Sequence, residues 1–211
     1  MLTTAERDVV LALYTTSHYV GWLSAITDWR AGTVTELSYT GYARAALTFG
    51  AAGNTTPAGG RQVANSVAAT GGQKTDAGTV DAIAWGIYAA DTGGSPQAIG
   101  LLDADVPFFG TCTLASPGVI TAYAHGLEAD QRVFTLAAPG AITPTGISEN
   151  TAYYVGTVPD ANSLTLSTTG SNANPVNTTG AGAMLFCPYT ALTIAQNATP
   201  EFAIGALLLQ V

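Results

Sequence analysis

The sequence predicts an all-β protein: a β-sandwich or jelly-roll-like domain with one short N-terminal helix and an inserted small β domain. After the first 14 residues the chain is rich in Thr, Val, Tyr, Ile and Phe, which favour strands. Gly, Pro and Asn interrupt these runs at close spacing, as in folds built from short strands and tight turns. The pattern of residues changes between Thr111 and about Phe186, which indicates a separate internal segment.

Charged residues are scarce in this chain. Its 211 residues are 9% charged and 47% hydrophobic, and the formal net charge is −8. Soluble domains usually carry about a quarter charged residues, so we expect a largely neutral or apolar surface of the kind that contacts other subunits. The same balance excludes a coiled coil, a charged disordered tail and a basic nucleic-acid-binding protein.

Signals for membrane targeting are weak. The first eight residues have mixed charge and no long apolar core, unlike a signal peptide. The longest apolar run, residues 202–209, contains Gly205 and is much shorter than the ~20 residues that span a bilayer. We therefore expect a protein that is made in the cytoplasm and contacts no membrane.

One segment is typical of a helix, over residues 5–14. Thr4 is the expected N-cap, and Glu6 and Asp8 follow it near the positive end of the helix dipole. Apolar residues then recur with helical spacing. These residues are Val9, Val10, Leu13 and Tyr14.

The remaining elements are predicted as short strands. In the run 81–89, Ile83, Trp85 and Ile87 share one face by a period of two. Residues 91–94 end in two glycines, which can adopt positive φ in a turn. Loops are expected at 50–60, which contains Pro57, and at 71–79 and 170–182. Strands are expected at 19–23, 44–49, 63–67, 81–89, 97–102, 119–122, 132–136, 152–157, 163–167, 189–194 and 202–211.

The two cysteines flank the internal segment. We predict that residues 112–186 form the inserted β module, and that residues 1–111 and 187–211 form a discontinuous base domain. The ends of an insertion must lie close together, so Cys112 and Cys187 are expected near each other at the neck. A disulfide needs Cα atoms within about 7 Å, and cytosolic assembly favours reduced thiols. The sequence is compatible both with a disulfide between these cysteines and with two free thiols.

The sequence holds few candidates for catalysis, and we predict neither a cofactor nor a metal. His18 and His125 lack zinc-site spacing, and nucleophile-elbow and phosphate-loop motifs are missing. We expect His18 to pack in the core or at an interface, and a neutral His125 to donate to a nearby carbonyl. Lys74 is expected to be a solvated loop charge. Asp103 and Asp105 offer too few oxygens for calcium, so a solvated strand end is favoured.

Aromatic residues are concentrated in the first 42 residues. Tyr and Trp can anchor protein interfaces or stack on sugar faces, and burial in a core or a subunit interface is the favoured interpretation. The candidate interface residues are Tyr14, Tyr19, Trp22, Trp29, Tyr39 and Tyr42.

Two stretches of the base domain resemble a family of small tailed-bacteriophage virion proteins, described as tail-fibre or minor structural proteins. Residues 33–49 include Tyr42-Ala43-Arg44 and end in Leu47-Thr48-Phe49, and residues 84–94 resemble the family's Gly-Ile-Tyr hairpin with its terminal Gly-Gly. Residues 200–211 are similar to its last strand. Residues 24–30 replace the loop that this family usually has, so no role of that loop transfers to this chain.

The internal segment resembles a small β module that recurs in phage structural proteins. The similar residues are His125-Gly126-Leu127, Val133-Phe134, the run 146–155 and the run 162–167. These motifs are turn glycines and strand aromatics, so they are informative about family and say little about a site.

The resemblances imply a non-enzymatic structural protein of a phage virion. The favoured version is a head-surface decoration or cement subunit that stabilises the capsid through interfaces with its own copies, a trimer being favoured, and with the major capsid protein. The alternative is a tail-fibre or tail-tip protein that contacts a host surface glycan. A more distant alternative is a carbohydrate-degrading enzyme that acts through Asp103, Asp105 or Glu149.

Overall fold

The protein is mostly β, with 41% of its residues in strands and 6% in helices. The computed structural model describes residues 3–14, 16–55 and 60–210. It confirms the predicted fold class, an all-β fold with one short N-terminal α-helix. Residues 56–59 of the predicted loop 50–60, among them Pro57, and Val211 of the predicted last strand lie outside the described residues.

One α-helix and eighteen strands follow each other along the described chain. A short 3-10 helix at Gly170–Asn172 is the other helical element. The elements are α1 Thr4–Ala12, β1 His18–Asp28, β2 Thr33–Glu36, β3 Ala45–Leu47, β4 Gly53–Asn54, β5 Arg61–Ala64, β6 Ala69–Thr70, β7 Val80–Ala82, β8 Ala84–Tyr88, β9 Ala98–Leu101, β10 Phe108–Cys112, β11 Val119–Thr121, β12 Arg132–Ala137, β13 Thr151–Val155, β14 Ser163–Ser167, β15 Gly182–Tyr189, β16 Leu192–Ile194, β17 Glu201–Phe202 and β18 Leu208–Gln210.

Helix α1 begins one residue earlier than predicted, because Thr3 rather than Thr4 is its N-cap. The Glu6 N–H donates to Thr3 Oγ1 at 3.3 Å, and the Thr3 N–H donates to Glu6 Oε2 at 2.7 Å. This reciprocal pair is a capping box. Leu11 is buried, whereas Val9 and Leu13, which are one helical turn apart, are exposed.

The chain divides into two compact units. Unit 1 comprises Met1–Ser24, Val34–Gly100 and Thr193–Val211, and unit 2 comprises Ala25–Thr33 and Leu101–Leu192. The division differs from the predicted insertion at 112–186, because β10 and β15 are whole strands of one sheet in unit 2. Strand β15 runs through the predicted boundary at residue 187.

The main sheet of unit 1 has five strands in the order β2-β1-β8-β9, with β3 also paired to β1. Strands β1 and β8 are antiparallel, and Trp22 lies opposite Trp85. Smaller sheets complete the unit: β18-β5-β4, β17-β6 and β16-β7. The predicted strand 81–89 is interrupted at Ile83, since β7 pairs with β16 and β8 with β1. The predicted final strand is likewise split, by a turn in which Gly205 has a φ of 78°.

Unit 2 contains a closed antiparallel barrel of six strands, in the order β10-β11-β14-β13-β12-β15. Its interior is filled by apolar side chains from all six strands. Gly110 is required on β10, because a Cβ at this position would lie 2.6 Å from Ile120 and 2.8 Å from Phe186. The buried core residues are Cys112, Ile120, Val133, Ile147, Tyr153, Val155, Leu164, Leu166, Val176, Met184 and Phe186.

The expected proximity of the two cysteines is wrong, and both are free thiols. Cys112 lies opposite Gly182 in the β10–β15 pair. Cys187 is five residues further along β15, which corresponds to about 17 Å at the usual rise of a strand. Because Cys187 is an odd number of positions, five, from Gly182, the two thiols also lie on opposite faces of the sheet. Cys112 belongs to the barrel core, whereas Cys187 lies opposite Phe134 of β12.

Candidate functional site

Arg44 is the centre of a polar cluster in unit 1. Its Nε donates to Glu36 Oε2 at 3.0 Å, and its Nη2 donates to Glu36 Oε1. Nη1 donates to the carbonyls of Ala90 and Gly93, both at 2.8 Å. The guanidinium also lies over the ring of Tyr88, 3.4 Å from its centre. Arg44 thus connects the segment 36–44 with the hairpin 84–94, the two stretches that carry the first sequence resemblance.

Tyr42 completes this cluster by donating its hydroxyl to Glu36 Oε2 at 2.7 Å. Burial raises the pKa of Glu36, but the hydrogen bonds from Arg44 and Tyr42 outweigh it, so the pKa of this carboxyl lies below its ordinary value. Burial, reinforced by the nearby Glu36 carboxylate, raises the pKa of Tyr88 to about 12. The carboxylate is therefore ionised and both phenols are neutral at physiological pH, which suits a structural link better than proton transfer.

The expectation that Lys74 is a solvated loop charge is wrong, because this side chain is only 1% exposed. Its Nζ donates to the Asp76 carbonyl at 2.6 Å, to Asp76 Oδ1 at 2.9 Å and to the Ala77 carbonyl at 3.1 Å. Three acceptors match the three N–H donors of an ammonium group. Burial is thereby compatible with the charge, and Lys74 holds the 74–77 turn in place.

The predicted interface aromatics occupy different environments. Trp22 is fully buried and stacks on Phe202 with ring centres 5.5 Å apart, so it is a core residue of unit 1. Tyr39 is buried as well, and its hydroxyl donates to the Gly72 carbonyl at 3.0 Å. The other four keep part of their surface accessible: Tyr14, Tyr19, Trp29 and Tyr42.

A polar cavity of about 640 Å³ lies at one end of the barrel in unit 2. Three stretches of its wall are loop residues before β10, after β11 and before β12, and the fourth is the end of β15. The cavity is held open by backbone hydrogen bonds from the Asp105 N–H to the Pro188 carbonyl at 3.0 Å and from the Thr190 N–H to the Leu102 carbonyl at 3.3 Å. Its polar lining residues include Asp103, Asp105, His125, Asp130, Arg132 and Tyr189.

His125 differs from its prediction in the direction of its hydrogen bond. Its Nδ1 accepts from the Leu127 N–H at 3.0 Å, instead of donating to a carbonyl. A ring whose Nδ1 accepts carries its proton on Nε2. This Nε2 is buried without a hydrogen-bond partner among the described residues. His18, in contrast, is buried and its Nδ1 lies 2.8 Å from the Thr16 carbonyl, in keeping with packing.

The three carboxylates of the enzyme alternative do not converge. Asp103 and Asp105 line the polar cavity, whereas Glu149 lines a separate cavity of about 300 Å³ beside Trp29. Glu149 accepts from the Thr143 hydroxyl at 2.6 Å. Within residues 3–14, 16–55 and 60–210, no group of three His, Cys, Asp or Glu residues is arranged to hold a metal ion.

Sequence analysis missed Asp130, Arg132 and Tyr189 as cavity residues. Asp130 and Arg132 flank the start of β12, and Tyr189 ends β15. Arg132 also lies over the Tyr154 ring, 5.1 Å from its centre. Only the pairing of Arg132 with Tyr189 across β12 and β15 brings these segments together. No local motif signals such a pairing.

A row of apolar side chains crosses the outer face of the barrel. Phe109 on β10 lies opposite Leu185 on β15, and Leu185 lies opposite Leu136 on β12. The neighbours of Leu185 and Leu136 along their strands, Phe186 and Thr135, are fully buried. Phe109 is 63% exposed. We call Phe109, Leu185 and Leu136 the apolar row.

No helix in the described part of the chain is both long and apolar enough to cross a bilayer. Comparison of the whole sequence with family models and with curated proteins gives no match.

Proposed function

We propose that this chain is a non-enzymatic structural protein of a tailed-phage virion, and that it acts as a head-surface decoration subunit through contacts with its own copies and with the capsid shell. The observation that carries the proposal is the apolar surface that each unit leaves open. Single exposed apolar residues are ordinary on soluble proteins, whereas contiguous ones mark contact surfaces.

The apolar row is the clearest such surface in unit 2. Directly opposed side chains on neighbouring strands have Cβ atoms about 5 Å apart, so the three residues form a continuous strip in which Phe109 is exposed and Leu185 and Leu136 are half-buried. A further exposed apolar residue lies beside β15: the Ile142 carbonyl accepts from the Ala183 N–H at 3.0 Å, and the Ile142 side chain is 78% exposed. A strip of this kind fits an apolar partner surface.

Unit 1 has two further apolar surfaces. Val9 and Leu13 form an exposed stripe on α1, at 68% and 67% exposure. Val67 and Ile204 lie on adjacent turns, because the buried Asn65 amide donates to the Val67 carbonyl at 2.9 Å and to the Ala203 carbonyl at 2.8 Å. Such surfaces can add up to the roughly 800 Å² per partner that a stable interface buries.

The Arg44 cluster supports the part of the proposal that concerns family. Glu36, Tyr42 and Arg44 belong to the first resembling stretch, and Tyr88 and Gly93 belong to the second. Because these residues contact one another, a single cluster explains why both motifs occur in the same chain. The motif residues stabilise a fold, which suits a protein whose task is assembly.

The test is to measure how many copies the virion contains. Purified particles would be analysed by quantitative mass spectrometry against the major capsid protein and imaged by electron cryomicroscopy. A decoration subunit is expected in hundreds of copies on the head surface. A count of only a few copies, or their absence from the head, would refute the decoration role.

The interface itself can be tested with Phe109→Asp, which places a charge in the apolar row. Thr168→Asp is the matched control, because Thr168 is exposed on the same unit outside that row. Sedimentation velocity should show loss of self-association, or particle-binding assays loss of attachment, for the Phe109 variant alone. Equal behaviour of the two variants would remove the apolar row from the proposal.

A tail location is the second candidate, and one observation favours it. Tyr123, which follows β11, is 91% exposed, and an exposed aromatic on this module suits contact with a host glycan. The same particle images discriminate between the two candidates, since a tail-tip protein is confined to the tail and present in few copies.

A further inference from the structure

The polar cavity of unit 2 has the size of a small-molecule site. Its volume of about 640 Å³ lies within the range of about 300–1,000 Å³ typical of ligand pockets. Its walls come from several separate chain segments. The backbone bonds of Asp105 and Thr190 join the segments 102–105 and 188–190, and strand pairing joins Arg132 to Tyr189. The shape of the cavity is therefore set by several chain segments together and does not depend on a single loop.

The lining offers both acceptors and donors. Asp105 uses one oxygen to accept from the Val106 N–H at 2.7 Å, and Asp130 accepts from the Ser171 N–H. A carboxylate has about four acceptor positions, so each keeps capacity for a ligand, as does the exposed Asp103. The donors are the guanidinium of Arg132 and the protonated Nε2 of His125, which is buried without a partner among the described residues.

The charge of the lining narrows the ligand class. Asp103, Asp105 and Asp130 outnumber Arg132, so the cavity is net negative and disfavours phosphates and acidic sugars. A ligand that pairs with several carboxylates and also with N–H donors needs groups that donate and accept. Hydroxyl groups do both.

An exposed aromatic ring lies next to this lining in the chain. Tyr123 precedes His125 by two residues, and the backbone between them is fixed where the Ala124 N–H donates to Asn162 Oδ1 at 2.9 Å. A ring that is 91% exposed has both faces available. Aromatic faces pack against the apolar face of a pyranose while hydroxyls at its edge form hydrogen bonds.

We propose that the polar cavity binds an uncharged saccharide, with Asp103, Asp105 and Asp130 accepting from its hydroxyls, Arg132 and His125 donating to them, and Tyr123 packing on a sugar ring. The inference goes beyond the decoration role and does not depend on it, since the site belongs to the isolated chain wherever the chain sits on a particle. It would give the tail alternative a defined contact site.

The test uses the full chain. Saturation-transfer NMR with glucose, galactose, mannose, rhamnose and N-acetylglucosamine, followed by an array of bacterial surface oligosaccharides, would find the ligand, and calorimetry would measure its affinity. Asp105→Ala changes an exposed residue and should leave the melting temperature unchanged, while raising the dissociation constant at least tenfold. Asp103 has a φ of 43°, which Asn adopts more readily than Ala, so Asp103→Asn is the variant there and should also raise the dissociation constant. Tyr123→Ala should raise it several-fold.

Two control variants match these substitutions. Asp91→Ala removes an exposed carboxylate from a turn of unit 1, and Phe109→Ala removes an exposed aromatic outside the cavity lining. Both should bind the saccharide like the unmodified chain. The proposal is overturned if no saccharide gives saturable binding, or if the cavity variants bind as the controls do. Salt-sensitive binding of spermidine at the same residues, without saccharide binding, would overturn it in favour of a cationic ligand.

Discussion

Arg44 lies over the ring of Tyr88, with the guanidinium carbon 3.4 Å from the centre of the ring, and binds Glu36 with two of its nitrogens. The side chain of Arg44 is only 3% exposed. A planar guanidinium can stack and bind a carboxylate in this way at the same time, whereas an ammonium group cannot. The pair therefore depends on arginine itself and not on positive charge alone.

Replacing Arg44 should cost the fold substantial stability. Arg44→Ala removes the cation that pairs with the Glu36 carboxylate and the donor to two carbonyls, leaving Tyr42 as a donor to Glu36, and we expect a loss of about 3 kcal/mol in the free energy of unfolding. Arg44→Lys should recover only part of it. Urea denaturation measures the effect, and Arg30→Ala, at an exposed turn, is the control that should stay within about 0.5 kcal/mol. Equal midpoints for the Arg44 and Arg30 variants would contradict the structural role of this cluster.

Acid should weaken the same cluster. The pKa of Glu36 lies below its ordinary value of 4.5 in the folded chain, so the unfolded chain takes up the proton first as the pH falls. The contribution of Glu36 to stability is therefore complete well above pH 4.5 and declines as the pH falls through the folded pKa. Unfolding midpoints between pH 7 and pH 3 should fall more steeply for the unmodified chain than for Glu36→Gln. Parallel curves would show that Glu36 does not contribute.

Lys74 is the only lysine of the chain, which makes its burial easy to test. An amine-reactive ester should leave Lys74 unmodified in the folded protein, because the Nζ of this residue is enclosed by three acceptors. After unfolding in urea the same residue should react fully. Peptide mass spectrometry distinguishes the two states. Fast labelling of Lys74 in the folded chain would contradict its buried position.

Both thiols should be unreactive while the chain is folded. Burial raises the pKa of Cys112 and of Cys187 to about 11 in each case, so roughly 0.1% of each is thiolate at pH 8. The thiolate is the reactive form. Iodoacetamide should therefore modify the folded chain at least a hundredfold more slowly than the urea-unfolded chain, and the unreduced protein should have the mass of two free thiols. A mass lower by two hydrogens would reveal the disulfide that the strand register excludes.

The sequence predicts most strands, and those it misses share no single composition: β2 and β10 contain β-branched or aromatic residues, whereas β15 begins with small ones. Strand β14 has the predicted bounds, 163–167, because Leu164 and Leu166 alternate with polar residues. The first half of β15 begins with Gly182 and Ala183, which have low strand propensity. Its pairing with β10 and β12 on both sides decides its conformation.

Burial is harder to predict than strand position. Lys74 has the residue type of a surface charge, yet it is enclosed in unit 1, and for Trp22 the sequence left a core position and a subunit interface both open. For Lys74 a local signal existed, since Asp76 follows two residues later and supplies two of the three acceptors. For Trp22 there was none, because its stacking partner Phe202 is far away in the chain. The polar cavity likewise depends on residues far apart in the chain, since Arg132 is brought to Tyr189 only by the pairing of β12 with β15.

The closed barrel also limits how this protein can aggregate. Each of its six strands has a neighbour on both sides, so the barrel offers no row of unpaired backbone groups to a strand from another molecule. Copies crowded side by side can thus touch through barrel side chains without exchanging or extending sheets there. In a surface coat of such molecules, any sheet that grows from one copy to the next would have to start from the open sheets of unit 1.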